Sequence, residues 1–311
     1  MNRDDAASVY VIAEAGVNHN GDRDRAFALV DCAADAGADA VKFQTFDAEK
    51  LASKKARKAA YQMERTDAAE TQLEMLKKLE LPREWHAPLQ AHARQRGLEF
   101  LSTAFDEGSL AFLVALGVPM LKIPSGELTN GPLLWRSAHT RIPLIVSTGM
   151  ATLGEVEQGL AVIAHALTAS CEPASMDEVW QLWSDRTARR ALVGHVTLLH
   201  CTSQYPTPVG EVNLRAMDTL AEAFGLPVGY SDHTEGILVP TAAVARGAVL
   251  VEKHFTLDRS LPGPDHRASL EPAELTTMVA HIRAACVRFL YAQKGHQAPP
   301  AKLRIAESIA G

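Results

Sequence analysis

Short apolar runs alternate with helical segments eight times along this chain, and that regularity constrains the fold more than any other feature. The runs read as strands at Val9–Ala15, Ala40–Gln44, Glu99–Thr103, Met120–Ile123, Pro143–Ser147, Val196–His200, Pro227–Ser231 and Val249–His254. Helical spacing occupies Asp22–Ala36, Arg83–Arg96, Glu107–Leu116, Pro132–Ser137, Leu153–Ala166, Asn213–Phe224 and Ile237–Arg246. Glu271–Gln293 closes the series, with Pro272 in its first turn. Eight βα units in strict order predict an α/β fold of one kind, a (β/α)8 TIM barrel, over an open doubly wound sheet. The Gly-x-Gly-x-x-Gly turn that would favour the open sheet is missing.

Two segments exceed ordinary connection lengths and predict insertions after strand 2 and before strand 6. Residues 46–80 read as a helical cover at the mouth of strand 2; residues 168–192, with Trp180 and Trp183, read as an added helix outside the barrel. The barrel takes residues 1–295, and 296–311 form a linker-like tail. A chain of 311 residues suits such a barrel, which typically needs about 250.

Charge narrows the partners. The net charge is −6 and the basic residues are scattered, the run Lys54-Lys55-Ala56-Arg57-Lys58 being short, so nucleic acid is not an expected partner. No apolar stretch reaches 18 residues and the amino terminus lacks a signal core, so neither membrane association nor secretion is expected. Cys32, Cys171, Cys201 and Cys286 are widely spaced without a CxxC pair, which suits a reducing compartment. A cytoplasmic protein is the expectation.

In a barrel of this kind chemistry collects where the strands end. The ends here carry Glu14, Lys42 with Gln44, Thr103, Lys122 with Ser125 and Glu127, Ser147 with Thr148, His200 with Ser203 and Tyr205, His233, and Glu252 with His254. A single such group is accounted for by an ionic network, but a polar residue at every strand end departs from the Val, Ile and Leu of a purely structural barrel. Lys42 and Lys122, joined by Thr103, Ser125, Ser147 and Thr148, suit a phosphate or carboxylate. His233 and His254 stand 21 residues apart on neighbouring strands, with Asp265 or Glu14 available to supply oxygen. Two nitrogens with oxygen and water suit Mn²⁺, Fe²⁺, Co²⁺ or Zn²⁺ better than Ca²⁺. His200, His19 and His266 are weaker candidates, His200 fitting a packing role equally well.

Several stretches taken in order resemble the sialic acid synthase family, the enzymes that make N-acetylneuraminate and related nonulosonates. They are Ile12-Ala13-Glu14-Ala15-Gly16-Val17-Asn18-His19-Asn20-Gly21, Ala40-Val41-Lys42-Phe43-Gln44-Thr45, Lys122-Ile123-Pro124-Ser125-Gly126-Glu127 and Ser147-Thr148-Gly149-Met150. Leu199-His200-Cys201-Thr202, Tyr205-Pro206-Thr207-Pro208, Ser231-Asp232-His233-Thr234, Glu252-Lys253-His254-Phe255-Thr256 and Pro262-Gly263-Pro264-Asp265 follow. The resemblance spans nearly all of residues 9–295. It implies condensation of phosphoenolpyruvate with a 2-acetamido hexose and release of phosphate. It also implies a divalent metal on His233 and His254, usually Mn²⁺, with Mg²⁺ or Co²⁺ as substitutes. Lys42, Thr103, Lys122, Ser125 and Ser147 would bind phosphoenolpyruvate. Glu14 and Glu127 would be the catalytic carboxylates, and Gln44, Ser203, Tyr205 and Asp265 would line the sugar side. A homodimer is the family expectation.

Two departures from the family pattern stand out. Ser203 occupies a position where neuraminate synthases commonly carry Asn, which is closer to the legionaminate branch with its 2,4-diacetamido-trideoxy hexose. Typical members also continue into a small antifreeze-like domain, expected to be absent here because the chain stops at Gly311. Two other readings stay open: a 3-deoxy-ulosonate phosphate synthase or metal aldolase on the same barrel, and a barrel that binds or assembles without catalysis.

Overall fold

The computed structural model describes residues 9–53, 56, 58, 63 and 70–286. The tail at 296–311, the end of the closing helix and much of the segment after strand 2 lie outside the described residues. Eight parallel strands close on themselves in chain order. They are β1 (Tyr10–Gly16), β2 (Ala40–Thr45), β3 (Glu99–Ala104), β4 (Leu121–Ile123), β5 (Leu144–Ser147), β6 (Val196–Cys201), β7 (Val228–Asp232) and β8 (Leu250–His254). The expected barrel is therefore the observed fold, with a helix following each strand outside it.

The closing helix runs Pro272–Ala285, and its N-terminus is held by a capping box between Glu271 and Glu274. The insertion before strand 6 holds two short helices, Met176–Trp183 and Arg186–Arg190, rather than the single one expected. Ser184 ends the first and Asp185 caps the second, so the chain turns between them. They lean on the helix Leu153–Thr168, where Val179 is buried and the Trp183 indole donates to Glu157 at 2.9 Å. After β2, helices Ala48–Leu51 and Gln72–Leu79 bury Leu73, Met75, Leu76 and Leu79 against Val17 and Phe46 at the mouth beside β1 and β2.

Strand alternation decides what enters the barrel. Ile12, Ala40, Leu101, Met120, Ile145, Leu199 and Leu250 form one apolar cluster separate from the larger core between sheet and helices. Residues from that many strands meet only on the barrel axis. On β7 the same level is Gly229, where a Cβ would lie 2.4 Å from the Leu250 carbonyl oxygen and 2.7 Å from Leu199. Two residues further along each strand, the side-chain period places Glu14, Lys42, Thr103, Lys122, Ser147, Cys201, Ser231 and Glu252 inward. One more step adds Gln44, His233 and His254. An apolar plug thus floors a polar chamber that opens at the carboxyl ends of the strands.

Candidate active site

The chamber has a basic half and an imidazole half. In the basic half, the Lys42 ammonium lies 2.7 Å from Glu14 Oε2 and 3.6 Å from Glu252 Oε2, and donates to Thr103 Oγ1 at 2.8 Å. Thr103 and Lys122 are register partners on β3 and β4. Lys122 donates to both Glu252 oxygens, at 2.8 and 3.1 Å, and Ser231 donates to Glu252 Oε1 at 2.9 Å. All four charged residues are at most 6% exposed. Glu252 is therefore the shared counter-ion of both lysines.

Electrostatics separates the two carboxylates. Burial pushes the Glu14 carboxyl up to about 7, because Lys42 offsets the lost hydration only in part and Glu252 adds repulsion. Burial also disfavours charge on Glu252, yet Lys122 and Lys42 hold it well below the usual carboxylate range. Burial opposes the Lys42 charge as well, but Glu14 and Glu252 outweigh it and raise its pKa. One carboxylate is thus firmly ionised, while the other gains and loses a proton near neutrality. That division suits acid–base work by Glu14.

Hydroxyls complete this half. The Ser147 hydroxyl is buried without a hydrogen-bond partner among the described residues. Ser125 Oγ accepts from the Gly149 amide at 3.0 Å and sits 3.1 Å from Cys201 Sγ. A Cβ on Gly149 would come within 2.6 Å of Ser203 Oγ and 2.8 Å of both Cys201 Sγ and Ser125 Oγ, so these loops close up only over glycine. Glu127 lies in the turn after β4 that also carries Ser125, and its carboxylate accepts from Asn130 Nδ2 at 2.7 Å. Asn130 in turn caps the next helix through the Leu133 amide.

In the imidazole half, His233 Nδ1 lies 2.6 Å from the Thr202 carbonyl oxygen, which can only accept. Nδ1 therefore carries the proton and Nε2 presents a lone pair, to which the Tyr205 hydroxyl donates at 2.9 Å. The His254 ring centroid is 5.7 Å from that of His233. His254 Nδ1 is buried without a hydrogen-bond partner among the described residues. It packs against Gly16, whose φ of +52° follows a bulge in β1 and where a Cβ would press within 3.1 Å of the ring. Burial lowers the His233 pKa to about 4 and drives that of His254 well below the ordinary range, so both rings are neutral at pH 7.

Two neutral imidazoles, one with an unsatisfied nitrogen, are donors of the kind a divalent metal takes. Asp265 does not complete a protein ligand set. Among the described residues no group of three or more His, Cys, Asp or Glu side chains has the spacing to hold an ion. Burial raises the Asp265 carboxyl to about 6. Gln44 approaches Glu14 Oε1 at 3.5 Å and so links the two halves. Ser203 is exposed at the rim. The weaker histidine candidates have other tasks: His200 contacts the Val212 carbonyl at 2.7 Å, His266 contacts Thr256 at 2.7 Å, and His19 accepts from the Gly21 amide at 3.1 Å.

Residues 29–293 match the model of the NeuB family. The chain belongs to the NeuB family. It is 50% identical over 283 residues to the N,N'-diacetyllegionaminic acid synthase of Legionella pneumophila, covering 91% of this chain and 74% of that protein. Against the N,N'-diacetyllegionaminic acid synthase of Campylobacter jejuni identity is 49%, over 88% of this chain and 75% of that one. Among solved structures, the N-acetylneuraminic acid synthetase of Leptospira borgpetersenii superposes with a TM-score of 0.76 at 32% identity, covering 94% of this chain and 88% of that one. A truncated 3-deoxy-D-arabino-heptulosonate 7-phosphate synthase from Thermotoga maritima shares the fold, with a TM-score of 0.60 at 14% identity.

Proposed function

We propose that this NeuB-family enzyme condenses phosphoenolpyruvate with an N-acetylated hexosamine-type aldehyde sugar, giving a nonulosonic acid and phosphate. The observation that carries this reading is the chamber itself, where a two-lysine cradle for an anion faces two neutral imidazoles across one barrel mouth. The acceptor we assign is a 2,4-diacetamido-trideoxy hexose, as the legionaminic acid synthases' names suggest and as Ser203 at the rim supports.

Each residue then has a task. Lys42 and Lys122 bind the phosphate and carboxylate of phosphoenolpyruvate, with Thr103, Ser125 and the unpartnered Ser147 hydroxyl completing the anion's hydrogen bonds. His233 and His254 would hold the divalent metal, Mn²⁺ in this reading, which when bound polarises the sugar's aldehyde oxygen. C3 of phosphoenolpyruvate forms the new bond to the sugar's C1 as the C1–O π pair moves onto oxygen, which ends as a hydroxyl with the proton that Glu14 takes from water, and cationic character is left at C2. Glu14 takes a proton from the water that adds at C2; collapse of the resulting adduct breaks the C2–O bond and expels phosphate. Glu252 keeps both ammonium groups in line. Gln44, Tyr205 and Asp265 orient the sugar. Glu127, in the turn that carries Ser125, is the second candidate carboxylate. The enzyme acts as a homodimer in the cytoplasm in this reading. No described helix is long and apolar enough to cross a membrane, and all four cysteines are free thiols.

Mass spectrometry of the products from phosphoenolpyruvate and a panel of acetamido hexoses tests the assignment. A nonulosonate forms with an unphosphorylated 2,4-diacetamido sugar; turnover only with a sugar phosphate would overturn it.

A further inference from the structure

Behind the two imidazoles, on the barrel face turned to its helices, Lys253 and Asp232 form an ion pair at 2.6 Å with both side chains at 0% exposure. They are register partners on β8 and β7, each immediately preceding one of the two histidines. Thr234 locks the arrangement. Its amide donates to Asp232 Oδ1 at 3.1 Å, its hydroxyl donates to Asp232 Oδ2 at 3.0 Å, and its carbonyl accepts from Lys253. The backbone is thus clamped on both sides of His233.

An ion pair stripped of water contributes little net stability, because desolvation offsets most of the Coulomb attraction and apolar side chains would fill the space as well. What a short, multiply bonded pair does supply is geometry. Alternation sends Asp232 and Lys253 outward and His233 and His254 inward, so the outer pair sets the spacing of the inner rings. The lysines of the anion cradle hang on β2 and β4, away from this clamp.

We infer that Asp232 and Lys253 are positioning residues for the metal, holding the ends of β7 and β8 so that His233 and His254 converge on one ion. The inference rests on the metal reading of those histidines. The double variant Asp232→Asn/Lys253→Met removes both charges at nearly constant volume and avoids stranding a buried ion, as Lys253→Met alone would. The full chain is titrated with Mn²⁺ alone, reading free Mn²⁺ by electron paramagnetic resonance, and with phosphoenolpyruvate alone by calorimetry. Outer-shell partners typically carry about 10- to 100-fold of metal affinity, so the Mn²⁺ Kd rises at least about tenfold while the phosphoenolpyruvate Kd stays within about threefold and unfolding remains cooperative. A smaller change in Mn²⁺ affinity overturns the inference. So does a parallel loss of both affinities, which would mark the pair as structural only. A wild-type chain that takes up no Mn²⁺ would sink the metal reading itself, and the inference with it.

Discussion

Glu252→Gln tests the electrostatic design of the anion cradle most directly. The carboxylate contacts Lys122 at 2.8 and 3.1 Å, Lys42 at 3.6 Å and the Ser231 hydroxyl at 2.9 Å, all out of water. Removing one partner of a buried ion pair costs about 3–5 kcal/mol. A barrel of this size loses roughly 2–4 °C of Tm per kcal/mol, so the variant should melt on the order of 10 °C lower. The same change leaves the two ammonium groups short of negative charge, and phosphoenolpyruvate supplies it. If its affinity rises about tenfold, a concentration of 100 Kd becomes 1,000 Kd and the ligand's stabilisation grows from about 2.7 to about 4.1 kcal/mol. Thermal melts with and without phosphoenolpyruvate, free of metal, measure both effects. The ligand-induced rise in Tm should therefore be larger in the variant by roughly 3–6 °C. A variant that melts like the wild type, or gains no more from the ligand, would refute the shared counter-ion role.

Three further predictions concern the chamber. His254→Ala should abolish measurable Mn²⁺ binding and lower kcat by at least about 100-fold, with circular dichroism unchanged because a strand-end side chain supports little core; full activity would show the metal assignment wrong. Burial raises the Glu14 carboxyl to about 7, and the proposed base must be deprotonated, so kcat/KM should climb as pH rises through that region. Glu14→Gln should erase that limb, and a pH profile unaltered by the substitution would exclude the role. Tyr205→Phe deletes the hydroxyl that donates to His233 Nε2, the nitrogen proposed to bind the metal, so Mn²⁺ affinity should rise about three- to tenfold by equilibrium titration; weaker binding would mean that the phenol assists the ion instead.

The basic half of the chamber was largely readable from strand ends, because a lysine or glutamate placed where Val or Leu would pack demands a partner. In the sequence Glu252 is one polar residue among several, yet the order of β8 carries a signal for it. With Leu250 on the barrel axis and His254 in the chamber, a period of two obliges Glu252 to face inward as well. Cys201 and Ser231 follow by the same counting from Leu199 and Gly229. Glu127 could not be judged that way. It lies beyond the strand in a turn, where no periodicity applies, and its carboxylate accepts from Asn130, the cap of the next helix.

The amino-acid order was enough for the barrel, for the polar chamber at the carboxyl ends of its strands and for the pairing of the two histidines. Each depends on short-range periodicity and on the rule that parallel strands joined by helices close in sequence. Whether a given polar group titrates, pairs or waits for a ligand depends on distances between strands far apart in the chain. Glu14 reaches a pKa near 7 while Glu252 stays ionised because one lysine approaches Glu14 and two approach Glu252. His233 presents Nε2 because a carbonyl on another strand's loop claims Nδ1. Those choices belong to three-dimensional proximity in a water-poor chamber, where a difference of an ångström decides which charge survives.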